Sequence, residues 1–435
     1  MFRGNSLVAT MLKKHWRSAV FAAAAAPLLL VGSGARAAST TDGPVKLLFT
    51  VPVPVIKANN PAGGLFSFDI SYVDKTTQTY YLADRSNKAV DVVDANTGTF
   101  LKQIQGKPAF AGVGPLSDTS GPNGVVASYP WLFVTDASSR VRSFNLVTGK
   151  QVDLVNTGGA GANRADELAY DAADGLLLVI NDADKPPFGT FISVNKSTGK
   201  LTIGKKVVFH HATGAEQPVW DPASGRFFQA LPQLGPNVAQ GAVLRINPST
   251  AKIEAEFGIN LCGPAGLTLG PNQTLLTNCN TTFDTAGNIW DPTKNVTATP
   301  YNVILSAKTG FILAYVPGAG AGDEAWYNAG DNHFYSTAQS SPLAPHDVTG
   351  ATLTAQGAAA LAVIDGTSMT LDQLVPTFNV PAKTTAPAHG AGTAHSVAAN
   401  PLNNLVFVPL AANNAIQGCL KGCIGVYGRQ NNDTD

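Results

Sequence analysis

The sequence predicts an all-β protein, a seven-bladed β-propeller of four-stranded antiparallel blades, and two observations lead to it. One short turn-containing unit recurs along the chain, and the composition suits many short strands. Copies of the unit read VVDANTGTFLKQI from Val92, SFNLVTGKQV from Ser143, SVNKSTGKL from Ser193, RINPSTAKIEAEF from Arg245, ILSAKTGFILAYV from Ile304 and VIDGTSMTLDQLV from Val363. Each is a strand, a polar residue, a Thr-Gly-like turn and a second strand, with small and turn-forming residues where a hairpin needs them. The 43 glycines and 28 prolines, with only 13% charged residues, favour tight turns over long helices.

Upstream of these copies lies a second half-unit, an inner strand, a turn and another strand. Examples are DELAYDAADGLLLVI from Asp166, EQPVWDPASGRFFQA from Glu216, DEAWYNAGDNHFYST from Asp323 and HSVAANPLNNLVFVP from His395. The halves together make a four-stranded blade. Alignment on the turns gives seven inner strands, beginning at Asp69, Asn123, Asp166, Glu216, Pro264, Asp323 and His395. The last copy stops after CIGVYG and lacks its fourth strand, whereas VKLLFTVPVPV from Val45 has no partner of its own. That segment is expected to complete the seventh blade, close the ring and cover a sheet edge.

The N-terminal residues read differently. A basic start (Lys13, Lys14, Arg17), an apolar run from Ala19 to Val31 and the small-x-small triplet Ala35-Arg36-Ala37 form a secretory signal peptide over residues 1–37, and residues 38–435 form a single propeller domain. Met11 serves equally well as a start. The apolar run is shorter than the roughly 20 residues of a membrane-spanning helix, so no membrane span is expected and the location is periplasmic or secreted. The signal carries five basic residues and no acidic one, which leaves 24 basic against 29 acidic side chains in the mature chain. That balance, without basic clusters, excludes nucleic acid as a partner. Cys262 with Cys279 and Cys419 with Cys423 are the expected disulfides in an oxidising compartment, with metal ligation by the thiols as the rival reading.

The segment Tyr80 to Ile104 and the ending Ala394 to Pro409 resemble the blade repeat of the YVTN/YncE-like bacterial propellers. That resemblance implies architecture and carries no fixed chemistry. A weaker similarity, in PNGV at Pro122 to Val125, is to the SMP-30/gluconolactonase-like propellers, in which a channel-bound Ca²⁺ polarises an ester or lactone. Of that family's ligands Asn123 alone transfers, and this chain has Asp69 where the family has a glutamate.

The inner-strand starts converge on one face and form an acidic ring. The candidate metal ligands are Asp69, Asn123, Asp166 and Glu216, and the candidate catalytic residues are Asp166, Glu216, Asp323 and His395. Converging carboxylates repel unless a cation, a proton or a basic ligand neutralises them, so a divalent metal is the expected cofactor: Ca²⁺ for the oxygen-rich set, a transition metal with histidine added. Glu167, Gln217 and Glu324 follow their ring residues and, by strand alternation, are expected to point into the blades. His210, His211, His346 and His389 are expected on the same face as His395, and His333 inside a strand. Long loops from Thr277 to Pro300 and Ser336 to Gly357 are expected to wall the funnel, with Trp290 as a ligand-stacking or packing residue.

There is no GxSxG, HExxH, CxxCH or P-loop motif. Two functions remain: a metal-assisted hydrolase or lactonase-like enzyme acting on a small molecule, or a non-enzymatic propeller that binds a small-molecule ligand or a protein partner. Electron transfer is open only through a partner.

Overall fold

The computed structural model describes residues 43–291, 298–320, 322–338, 341, 359–377, 395–411 and 416–429. The signal-peptide expectation, His346, His389 and most of the loop from Ser336 to Gly357 lie outside them.

The turn units explain why strands form where they do. In five of the six copies a polar side chain accepts hydrogen bonds from the backbone N–H groups two and three residues on: Asp94 Oδ1 from Asn96 and Thr97, Asn145 Oδ1 from Val147 and Thr148, Asn195 Oδ1 from Ser197 and Thr198. Asn247 and Asp365 repeat the pattern. The side chain thus mimics a backbone turn and reverses the chain. Four residues on, the backbone takes a left-handed φ, supplied by glycine at Gly98, Gly149, Gly199 and Gly310 and by Ala251 and Met369 in the other two copies. After each turn the strand register slips once, for example between Val92 and Val93 or between Arg245 and Ile246.

The described residues form seven four-stranded antiparallel units, consistent with propeller blades. Sheet 1 holds Ser71–Asp74, Thr79–Asp84, Ala89–Asp94 and Phe100–Gln105; sheet 2, Val125–Ser128, Trp131–Asp136, Arg140–Asn145 and Lys150–Asn156. Sheet 3 holds Leu168–Asp171, Leu176–Asn181, Phe188–Val194 and Leu201–Val208; sheet 4, Pro218–Asp221, Arg226–Leu231, Gln240–Asn247 and Lys252–Asn260. Sheet 5 holds Cys262–Leu269, Thr274–Thr282, Tyr301–Ser306 and Ile312–Pro317; sheet 6, Ala325–Asn328, His333–Ala338, Ala360–Asp365 and Leu371–Pro376. Sheets 4 and 5 are joined by one parallel pairing, Gln240 with Cys262. Sheet 7 holds Ala398–Ala399, Val406–Leu410, Cys423–Arg429 and, from the other end of the chain, Val45–Pro52.

That last pairing runs antiparallel from Val45 opposite Arg429 to Pro52 opposite Cys423, as the unpartnered segment from Val45 implied. The Gln373 side chain of sheet 6 also brackets the Val45 backbone, accepting from its N–H at 2.9 Å and donating to its carbonyl at 2.8 Å.

Burial follows the same sevenfold order. Seven clusters of buried apolar side chains each draw on two successive sheets, and one unites sheet 7 (Phe407, Ile424, Val426) with sheet 1 (Val73, Tyr80, Leu82). There Tyr80 stacks on Phe407 with ring centres 4.8 Å apart. Sheets packed face to face need both faces apolar, which is why central strands such as Leu132–Val134 and Val303–Leu305 are unbroken apolar runs. The innermost strands also neighbour one another in sequence order, and Ala398–Ala399 returns to Ser71–Asp74. Both disulfides form, Cys262–Cys279 and Cys419–Cys423. No helix among the described residues is long and apolar enough to cross a membrane.

Candidate functional site

The ring residues are placed by one repeated backbone contact. Asp69 N–H donates to the Ala83 carbonyl, Asn123 to Thr135, Asp166 to Ile180 and Glu216 to Ala230, each near the end of the second strand of its own sheet. Each of these four, and Asp323, stands two residues before its innermost strand begins. Equivalent backbone positions in neighbouring sheets therefore deliver their side chains to one place.

Two arginines that the sequence reading did not single out meet them there. Arg85, in the short loop between the second and third strands of sheet 1, contacts the Asp69 carboxylate and donates from Nε and Nη2 to Asn123 Oδ1 at 3.0 and 2.8 Å. Arg164, two residues ahead of Asp166, reaches Asp166 Oδ2 at 2.8 Å, Asp182 Oδ2 at 3.0 Å and Asp69 Oδ2 at 3.5 Å. Arg164 thereby links sheets 1 and 3 over the entry of sheet 2. The remaining Asn123 donor is spent on the Ser120 and Ala165 carbonyls.

This arrangement alters the expected metal set. Within that set the Arg85 guanidinium contacts both Asp69 and Asn123, and Arg164 pairs with Asp166. The charge that converging carboxylates demand is supplied largely by the chain itself. The part of the expectation with geometric support is a different group: single ligand atoms of Asp69, Asp323 and His395 all lie within 4.8 Å of one another and could hold a metal ion.

In that group His395 Nε2 stands 2.9 Å from both Asp69 Oδ1 and Asp323 Oδ2, with the Phe68 ring edge-on to the imidazole. Burial disfavours the imidazolium, but Asp323 and Asp69 outweigh it and push the pKa of His395 up to about 10. Burial likewise raises Asp69, and there Arg85, His395 and Arg164 prevail and hold the carboxyl well below the usual range. Asp69 and Asp323 thereby favour the imidazolium form of His395.

The other half of the ring is different. Glu216 and Glu167 make no side-chain hydrogen bond among the described residues, though Glu167 is only 3% exposed. Burial, reinforced by Asp323 and Asp182, pushes Glu216 up to about 8, and burial with the charges of Asp166, Asp323, Glu216 and Glu324 raises Glu167 well above its usual range.

Glu324 and Gln217 correct an expectation. Instead of pointing into their own blades they cross to neighbouring inner strands. Glu324 Oε2 accepts from Ser71 N–H at 3.4 Å, from Val397 N–H at 2.9 Å and from the Ser396 hydroxyl, tying sheet 6 to sheets 7 and 1. Gln217 Oε1 accepts from Leu267 N–H at 2.7 Å and Ala325 N–H at 3.2 Å, tying sheet 4 to sheets 5 and 6. Strand alternation applies only from the first ladder residue, and all three follow-on residues precede it.

The structure thus brings Asp323 and His395 of the expected catalytic set into contact, gives Asp166 to Arg164, and leaves the Glu216 side chain without a hydrogen bond among the described residues, although its backbone hydrogen-bonds with Ala230 and Gln229. His210 and His211 are exposed, while His333 is buried in its strand, its Nδ1 2.8 Å from the Asp331 carbonyl. Trp290 is half-buried. The signal that could have found the arginines is local: one lies in a short top-face loop, the other beside a ring carboxylate.

No family model matches the chain, and no curated protein matches it. Among solved structures it is similar to Kuenenia stuttgartiensis hydrazine synthase, with a TM-score of 0.58 and 11% identity over 85% of this chain and 96% of that one. At that identity the likeness shows the β-rich, multi-sheet fold and nothing of the chemistry.

Proposed function

We propose that the chain is an exported seven-bladed β-propeller that binds a small polar molecule in the funnel above its ring of inner-strand entries. The seven four-stranded units and the return of sheet 7 to sheet 1 support the architecture, and two disulfides suit a periplasmic or secreted setting. One observation carries the binding function. The ring is divided: Arg85 and Arg164 satisfy its Asp69–Asn123–Asp166 side, while Glu216 and Glu167 present acceptors that no described residue meets. A concave site with a few convergent polar groups is where a ligand supplies partners to acceptors that the protein leaves unmet. A metal-assisted hydrolase is the weaker reading, since the oxygen-rich set it needs is held by guanidinium groups.

A second reading keeps an ion. Asp69, Asp323 and His395 favour it, and one imidazole with two carboxylates suits Mn²⁺, Fe²⁺ or Zn²⁺ better than Ca²⁺. Both readings are tested by thermal unfolding of residues 38–435 against a panel of small polar molecules and divalent salts, in parallel with Glu216→Gln/Asp323→Asn. Binding predicts that some small molecules stabilise the wild type by about 2–3 kcal/mol at a hundredfold excess over Kd and fail with the double variant. Stabilisation by divalent salts alone, lost in His395→Ala, would replace the ligand reading by the metal one; identical responses of wild type and double variant would remove the funnel as the site.

A further inference from the structure

We infer that His333 is a proton-operated latch on the seam between sheet 7, which holds the ring-closing strand, and sheet 6: protonating its ring weakens the hold of Arg429. Arg429 ends the strand Cys423–Arg429 and reaches three groups at once. It donates from Nη1 to the Gly43 carbonyl at 3.1 Å, just ahead of the closing strand, and its Nη2 lies 2.9 Å from Asp372 Oδ2 and 3.2 Å from His333 Nε2, both in sheet 6. One side chain thus joins the two sheets.

The partners of the ring fix which nitrogen titrates. His333 Nδ1 stands 2.8 Å from the Asp331 carbonyl, which can only accept, so Nδ1 keeps its hydrogen in both charge states and Nε2 gains or loses the proton. A guanidinium can only donate, so the neutral ring accepts from Arg429 at Nε2. In the imidazolium two donors face each other there, and the carboxylates about Nε2, Asp372 at 3.7 Å and Asp365 at 3.9 Å, stand beyond hydrogen-bond reach. The groups that face the ring are Asp331 in the preceding turn, Asp365 and Asp372 on the next two strands and Arg429 on sheet 7, with Tyr335 and Tyr427 in the adjoining apolar cluster. Both phenols stay neutral, since burial pushes them above their ordinary range. Burial and Arg429 disfavour the imidazolium, Asp331 outweighs them, and the ring titrates above the ordinary histidine value. The fold as a whole therefore gains from the protonated ring at low pH and loses that gain as pH rises through the raised value. The latch responds in the opposite direction. Proton binding and Arg429 docking oppose each other, and by whatever factor Arg429 weakens the proton, the proton weakens Arg429.

Amide hydrogen exchange of residues 38–435 reads the seam through the Val45 N–H, which the Gln373 side chain holds at 2.9 Å, with the Leu361 N–H in the third strand of sheet 6 as the reference for global opening. The ratio of the two protection factors is expected to fall about fivefold between about pH 9 and about pH 5. In His333→Gln, which offers Arg429 an acceptor that does not titrate, the ratio should stay level. A second readout is the His333 ring titration by NMR, which should move to higher pH in Arg429→Met. Should His333→Gln fail to fold, Arg429→Met carries the test, since that side chain is 17% exposed. A wild-type ratio that does not fall, a fall that persists in His333→Gln, or a ring titration that stays in place or moves down in Arg429→Met would each overturn the latch.

Discussion

Arg85→Met is expected to lower the free energy of unfolding by about 3–5 kcal/mol, the loss that follows when one partner of a buried ion pair is removed. The Arg85 and Asp69 side chains are 7% and 4% exposed, so neither water nor salt screens the carboxylate left behind. Asn123 Oδ1 also loses both of its donors. Arg164 at 3.5 Å and His395 at 2.9 Å remain, and they temper the loss without replacing the contact. The same substitution at Arg226, whose pair with Glu254 is 30% exposed on both sides, should cost far less, because solvent screens that pair. Urea unfolding of both variants makes the comparison, and equal losses would show that the Arg85 network does not stabilise the ring.

Removing residues 43–52 should have a larger effect and abolish a cooperative unfolding transition. Val45 and Val51 are buried in the clusters that sheet 7 shares with sheets 6 and 1, and losing two buried valines alone costs roughly 3–6 kcal/mol. The deletion also strips the hydrogen-bonding edge of Cys423–Arg429 along its whole length, which invites association with another chain. Size-exclusion chromatography and calorimetry are the measurements. Moving the strand to the C-terminal end of the deleted protein, through a flexible linker after Asp435, should restore the transition. A deleted protein that stays monomeric and unfolds like the wild type would show that this strand does not complete sheet 7.

Much of this fold was legible because its determinants are local and repeated. Asp94, Asn145, Asn195, Asn247 and Asp365 each make the same turn with their own neighbours, so the pattern is visible in the string. The inner-strand starts followed from that alignment, and both disulfides from an even number of cysteines in an oxidising compartment. The site was legible only in part, because it depends on non-local convergence. Asp69, Asp323 and His395 come from sheets 1, 6 and 7, and alignment of the repeats placed them on one face. Alignment had no means of placing Arg85 and Arg164, which occupy loops between the aligned half-units and reach across sheet boundaries. The orientation of Glu324 and Gln217 was missed for a related reason: they stand just before the strand, where alternation does not yet govern direction.

The central claim is that the ring neutralises its own charge, with His395 held as a cation between Asp69 and Asp323. Histidine-labelled NMR across pH tests it most directly, following the His395 ring in the folded protein and assigning it with His395→Gln. The account predicts an imidazole that remains protonated through neutral pH and titrates near 10. A His395 that titrates near 6.5, the ordinary histidine value, would contradict it.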